Sequence, residues 1–485
     1  MGRRGELQQV ELHDSALPDE EPVERRPRSR RRRWLVIGVI AVVLGLGVTQ
    51  GVLTVRENAA TARLARLPGV LAPVDDTLEV VRSLTPEDIA VLWGEPYGTL
   101  VVAEDGAQSY QWVEPGATGW TTPLLGPLDG LEDGYQVSPD STCATAETPG
   151  TGGADHVVCL VTDGAQYFIE SGQSGGTLEA TTREIAVLDT ADGSELARWP
   201  VQDGYAVATL PGPIVAVAAL TDGGLVVTAY DALSGRQRWT QDDLGMTGDA
   251  PPLLRVGALL ALPGYSGSLT LLSADGAVVR SGATALSDTG AFIQSTVDAR
   301  TGMLHLHRDA PNGMPQSLVV GAGGDPGDDQ LVDGTPLEVA VDDGSVPGLL
   351  LTGDTSVHAY DAETGAARWT AEVPTMTNAL VLRGRVYVTV AREVVALDGR
   401  SGRELWRSDA LVGLTPTRLL TDGTNVLVAA DRTGVDADAA LVAYDPASGT
   451  EVFRAPYPDG VTSLEAVGRT LVGLDAVGGA QVELG

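Results

Sequence analysis

From about residue 97 to its end, the chain is built of short apolar runs separated by Gly, Asp, Ser and Thr. Some runs alternate apolar with polar residues and others are continuously apolar. At this length both predict β-strands, the first half-buried and the second buried on both faces. One arrangement recurs: an apolar run ends in Asp, a Gly follows four residues later, and the next run ends in an aromatic residue. Ala359 to Trp369 is the clearest copy. Others are Ala229-Tyr230-Asp231 with Gly235 and Trp239, Ala396-Leu397-Asp398 with Gly402 and Trp406, and Ala443-Tyr444-Asp445 with Gly449 and Phe453. A looser copy is Val187-Leu188-Asp189 with Gly193 and Trp199. Each copy predicts a hairpin in which Gly supplies the positive backbone angle of the turn.

The spacing of these turns predicts the architecture. Gly193, Gly235 and Gly276 lie 42 and 41 residues apart, and Gly365, Gly402 and Gly449 lie 37 and 47 apart. The 89 residues from Gly276 to Gly365 leave room for one degenerate copy. A period of roughly 40–45 residues with several short strands is that of propeller blades. An outer-hairpin Trp buries on the order of 150–250 Å² against its neighbour, which gives each blade a reason to dock on the next.

The pattern resembles the tryptophan-docking repeat of quinoprotein (PQQ-like) β-propellers, Ala-x-Asp-x-x-Thr-Gly-x-x-x-Trp, over roughly residues 97 to 485. Trp112, Trp199, Trp239, Trp369 and Trp406, with Phe453, are the docking candidates. Blades are expected at 205–243, 249–282, 289–335, 336–373, 376–410 and 414–457, with a larger unit over 135–202. The hairpin Thr99 to Trp112 is expected to complete the last blade, Ser463 to Leu484, so that no edge stays open. The expectation is an all-β, eight-bladed β-propeller over 96–485, with seven as the alternative count.

The N-terminal region has a different pattern. Residues 1–33 hold seven acidic residues and nine arginines, the composition of a disordered tail. Trp34 to Val55 is 22 residues without a formal charge. As a helix it would span roughly 33 Å, enough for a bilayer core. The arginines before it predict a cytoplasmic N-terminus and an extracytoplasmic remainder, a single-pass protein of the cell membrane. A cleaved signal peptide is the alternative, but the apolar run is longer than an h-region and no small-x-small site closes it. Leu64, Leu67, Val70, Leu71 and Leu78 lie in residues 56–95, expected as a stalk, although their apolar side chains would also suit packing on the propeller.

Composition narrows the chemistry. The formal charge is −33, and −35 beyond the tail, which argues against nucleic acid and anionic lipid as ligands. All 32 basic residues are arginine, so no lysine nucleophile or Schiff base exists. The two cysteines, Cys143 and Cys159, are expected to pair in an oxidising compartment, two buried thiols being the alternative.

No constellation assembles a catalytic site. His305 and His307 alternate along one predicted strand and face one side, with Asp309 nearby, but no third ligand is evident. Asp431, Asp436 and Asp438 crowd a loop without EF-hand spacing, and Asp325 to Asp333 is a weaker version. Gly321-Ala322-Gly323-Gly324-Asp325-Pro326 follows an apolar strand, yet Pro326 stands where a dinucleotide-binding helix would grow. His156 and His358 are isolated and read as structural. Quinoprotein dehydrogenases of the resembled fold hold PQQ and Ca²⁺ in a central funnel, often beside a vicinal disulfide. Cys143 and Cys159 are not vicinal, and none of that family's cofactor residues can be placed on this chain. The expectation is a non-enzymatic scaffold without cofactor or metal, binding an envelope or membrane protein. The alternatives are a PQQ- and Ca²⁺-dependent oxidoreductase and a ligand sensor.

Overall fold

The computed structural model describes residues 63–67, 69–85, 88, 92, 97–113, 119–128, 136–147, 154–168, 174–242, 244, 250–287, 292–298, 302–308, 315–375, 378–432, 438–475 and 481–485. The expected tail 1–33 and membrane helix 34–55 lie outside them. Among the described residues no helix is long and apolar enough to cross a membrane. Arg63–Gly485 forms one compact unit.

That unit is all β. Among the described residues its strands form ten sheets, seven of four strands, one of five and two of three. Four of the expected blades coincide with sheets met in chain order. Strands β12–β15 run from Ala206–Leu210 to Gln237–Gln241, β16–β19 from Leu254–Val256 to Val278–Ala283, and β20–β23 from Ile293–Val297 to Gln330–Asp333. Strand β33 (Leu414–Thr421) begins the sheet that ends with β36 (Glu451–Pro456).

Sheets stack on both faces of their neighbours, and this explains the sequence pattern of the middle strands. In β30 (Arg385–Val390) and β31 (Glu393–Asp398) nearly every side chain is buried, because both faces meet another sheet. Their sequences therefore read as continuous apolar runs. The outer strand β28 (Ala367–Ala371) is covered on one side only and alternates, with Trp369 and Ala371 buried between exposed neighbours. The apolar clusters lie between sheets: Val346, Leu351 and Trp369 pack with Val381, Val388 and Leu397 of the next sheet.

Two sequence expectations are corrected at the N-terminal end. The stretch expected as a stalk belongs to the propeller unit from Arg63 onward. Leu64 and Val70 pack among Leu414, Leu419 and Val426, while Leu71 and Leu78 join Leu427, Leu441 and Leu484. The Leu71 N–H donates to the Thr421 carbonyl at 2.9 Å and the Ala72 N–H to that of Arg469 at 2.7 Å. Strand β1 (Val80–Leu84) then pairs antiparallel with β39 (Gln481–Leu484) and completes the last sheet. The hairpin Thr99 to Trp112, expected in that place, lies instead in β2 (Tyr97–Val102) and β3 (Gln108–Val113), which form a separate sheet with β4 (Trp120–Leu125). The Asp105-Gly106 turn resembles the repeat, but it joins the first two strands of a three-stranded sheet.

A local irregularity shapes the interior. Strand β24 is only Thr335–Pro336, paired to β26 (Leu349–Gly353). The chain then leaves that sheet, and β25 (Val339–Asp342) runs parallel to β29 (Ala379–Leu382) as the fifth strand of the next. Pro336 has no N–H to donate, which weakens continued pairing at this point.

Candidate functional site

Two features stand out: the contacts that dock one sheet on the next, and the cavities lined by the inner strands. The docking contacts are uniform. The Nε1–H of Trp199 donates to the Ala232 carbonyl at 3.0 Å, and that of Trp239 to Ala274 at 2.9 Å. Trp369 donates to Gly399 and Trp406 to Pro446, each at 3.0 Å. In every case the acceptor is the first residue of the next sheet's turn, and the indole lies over that turn's glycine. Gly402 shows why glycine is required. Its φ is +68°, and a Cβ there would stand 2.6 Å from the Trp369 ring. Trp199 sits six residues after its glycine instead of four, yet it reaches Gly235 in the same way.

The aspartate of each turn holds the loop that receives the indole. Asp361 accepts from the Thr364 N–H at 3.0 Å, the Thr364 hydroxyl at 2.9 Å and Arg368 at 2.6 Å. These bonds, Arg368 first, hold its carboxyl down at about 2. Asp231, Asp398 and Asp445 are lowered by the equivalent Ser hydroxyls. A carboxyl depressed in the folded state stabilises above its unfolded value, and that contribution is lost as pH falls through the folded value. The thermal midpoint of the propeller is therefore expected to drop steeply between pH 4 and 2. Asp361→Asn is expected to lower the midpoint at pH 7 and shrink the drop at acid pH. Unfolding curves followed by circular dichroism across that range check both.

The remaining docking candidates fall differently. Trp112 is buried between its sheet and the next, in a cluster with Val157, Val161 and Leu188, and stacks on Trp120 with ring centroids 6.3 Å apart, but it is not the indole that lies over the next turn's glycine. The docking indole of that sheet is Trp120, whose Nε1–H donates to the Thr190 carbonyl at 2.8 Å, over the Gly193 turn. Phe453 packs with Leu464, Leu471 and Leu484 of the last sheet. In the degenerate copy Gln330 takes the place of the aromatic. Its aliphatic part covers Gly365, and its amide donates to the Glu363 carbonyl at 2.7 Å. Sequence reasoning missed Gln330, since nothing in its residue type marks a docking role.

Cys143 of β6 (Thr142–Glu147) and Cys159 of β7 (Ala154–Thr162) are directly opposed and joined in a disulfide, with Cα atoms 4.0 Å apart. Cys159 is fully buried, whereas Cys143 lines the larger inner cavity, about 790 Å³, with Thr209, Arg255 and Asp298. A second cavity of about 560 Å³ shares Val297 and Asp298 with it and is bounded by His305, His307 and Glu338. His305 is buried, and the His307 ring Nε2 lies 3.0 Å from Gln294 Oε1. Among the described residues no three metal-ligating side chains converge.

The other candidates are separate. His156 is pushed down by burial. His358 lies between Asp354, at 3.1 Å, and the Thr370 hydroxyl, at 3.3 Å. Asp431 and Asp438 line a surface cavity with Tyr457, where burial raises the Asp431 carboxyl. Asp309 and Asp436 lie outside the described residues. The Gly321–Pro326 run leads into a single 3-10 turn, Pro326–Asp328, capped by Asp325, and Asp329 pairs with Arg280 at 2.7 Å.

Residues 116–310 and 322–480 match the family model described as outer membrane protein assembly factor BamB. The chain belongs to this family of PQQ-like β-propellers. Among solved structures it is similar to BamB from Moraxella catarrhalis, at 17% identity over 84% of this chain and 97% of that one, with a TM-score of 0.36. It is also similar to the C-terminal WD40 domain of Sif2, at 11% identity over 85% and 99%, with a TM-score of 0.37. No curated protein sequence matches it. The quinone that names the PQQ-like repeat carries three carboxylates. Among the described residues the two inner cavities offer one arginine, Arg255, and no lysine, and they add Asp298 and Glu338. This lining does not fit a tri-anion.

Proposed function

We propose that this chain is a membrane-anchored, extracytoplasmic β-propeller that works as a non-catalytic scaffold, holding an envelope or membrane protein on its loop-lined surface. The observation that carries the reading is the match of most of the propeller to a family described as an outer membrane assembly factor. The acidic lining of the inner cavities supports a role without the quinone. The anchor in this reading is Trp34 to Val55, 22 residues without a charge behind an arginine cluster, with the tail 1–33 inside the cell and the propeller outside. Blades are counted as eight, one for each sheet of four or more strands, and the sheet of β2–β4 docks on the first of them through Trp120. The docking tryptophans and the Cys143–Cys159 bridge are structural parts of the scaffold, not ligands.

Calorimetric titration of the detergent-solubilised full chain with PQQ and Ca²⁺ tests the non-catalytic part. The expected result is no saturable heat. Calcium-dependent binding, with oxidation of an alcohol or sugar in a dye-linked assay, would overturn it.

A further inference from the structure

The smaller inner cavity is lined by the irregular stretch around Pro336. Inner strands of neighbouring sheets ordinarily cover the second strands behind them. Here β24 pairs with β26 over Thr335–Pro336 only, Leu337 adds one bond to the Leu351 carbonyl at 3.0 Å, and the chain crosses to the next sheet as β25. The space that a continued inner strand would fill lies between β21 (Leu304–Arg308) and β26. Its volume of about 560 Å³ is in the range of small-molecule sites.

The walls of this space have distinct chemistry. Leu350, whose side chain faces the β20–β23 sheet, gives an apolar floor. Asp298 and Glu338 bring two carboxylates to the lining, and among the described residues no arginine lines it. The Thr335 hydroxyl is buried without a hydrogen-bond partner in the protein. A buried hydroxyl costs free energy unless something supplies its bond, so it marks a place for a ligand's polar atom or a water. The chain's charge of −33 adds a field that disfavours anions throughout.

We infer that the cavity between β21 and β26 binds a small organic cation, an amine with an apolar body that lies on Leu350 while its ammonium group faces Asp298 and Glu338. This assignment is independent of the scaffold reading. An apolar body removes leucine surface from water, and the ammonium gains from two carboxylates in a site partly shielded from solvent.

The test is calorimetry on the full chain in detergent, with a micelle blank, using 2-phenylethylamine, 2-phenylethanol and 3-phenylpropionate at pH 7.5. The amine is expected to bind saturably, the alcohol more weakly and the carboxylate not at all. Leu350→Trp, which fills the floor, is expected to abolish amine binding. Glu338→Gln, at an exposed position where folding is not at stake, is expected to weaken the amine by about three- to fivefold and leave the alcohol unchanged. No saturable amine binding at millimolar concentration would overturn the assignment. So would equal binding of amine and carboxylate, or an amine affinity unmoved by Glu338→Gln.

Discussion

Trp369→Ala is expected to cost the propeller about 3–5 kcal/mol, the range for deleting a large buried aromatic. The side chain is 8% exposed, packs between two sheets and donates to the Gly399 carbonyl, so the substitution leaves both a cavity and an unpaired acceptor. Gly402→Val attacks the same contact from the other side. It forces a β-branched residue to φ +68° with its Cβ inside the indole's space, and should be at least as damaging. Chemical denaturation of each variant measures the loss. Trp112→Ala provides a contrast: it removes core shared by the two N-terminal sheets and leaves the docking bond of Trp120 in place, so it should loosen those sheets without opening the contact at Trp369.

Truncation before residue 85 is the second large effect. It removes Leu64, Val70, Leu71 and Leu78 from the core and β1 from the last sheet. At about 1.5–3 kcal/mol for each fully buried aliphatic side chain, the apolar loss alone is on the order of 6–12 kcal/mol, an upper estimate. Typical stabilities are about 5–15 kcal/mol, so the shortened chain is expected to unfold or aggregate. It would also leave β39 as a bare edge. Truncation before residue 63 should leave a cooperatively folding propeller. Limited proteolysis and circular dichroism of the two shortened chains separate the outcomes.

The contrast between these two regions shows what the sequence makes legible. The repeat was readable because one contact, an indole on a turn glycine beneath a capped aspartate, must be built from the same few residue types each time. Blade limits between 205 and 457 follow from it. Where another residue makes the contact, as Gln330 does, the physics is kept but the signal is lost. The same holds at the N-terminus. Val80-Val81-Arg82-Ser83-Leu84 is an ordinary strand sequence, and its partner is the strand Gln481–Leu484 at the far end of the chain, a pairing no local pattern encodes. Trp112 packs between sheets, but Trp120 holds the place over the turn glycine, because Asp105-Gly106 imitates the repeat's turn one hairpin too early in the sheet. The smaller inner cavity was beyond the sequence altogether, since it lies where a strand leaves its sheet at Pro336.

The central claim, a scaffold held at the membrane with a protein partner, is tested most directly by extracting the full-length protein from its own envelope in mild detergent and measuring its native mass and composition. The account predicts that it resists carbonate extraction and runs in a complex heavier than itself, with a second envelope protein in fixed ratio. Release by carbonate, or a detergent-solubilised species containing this chain alone, would contradict it.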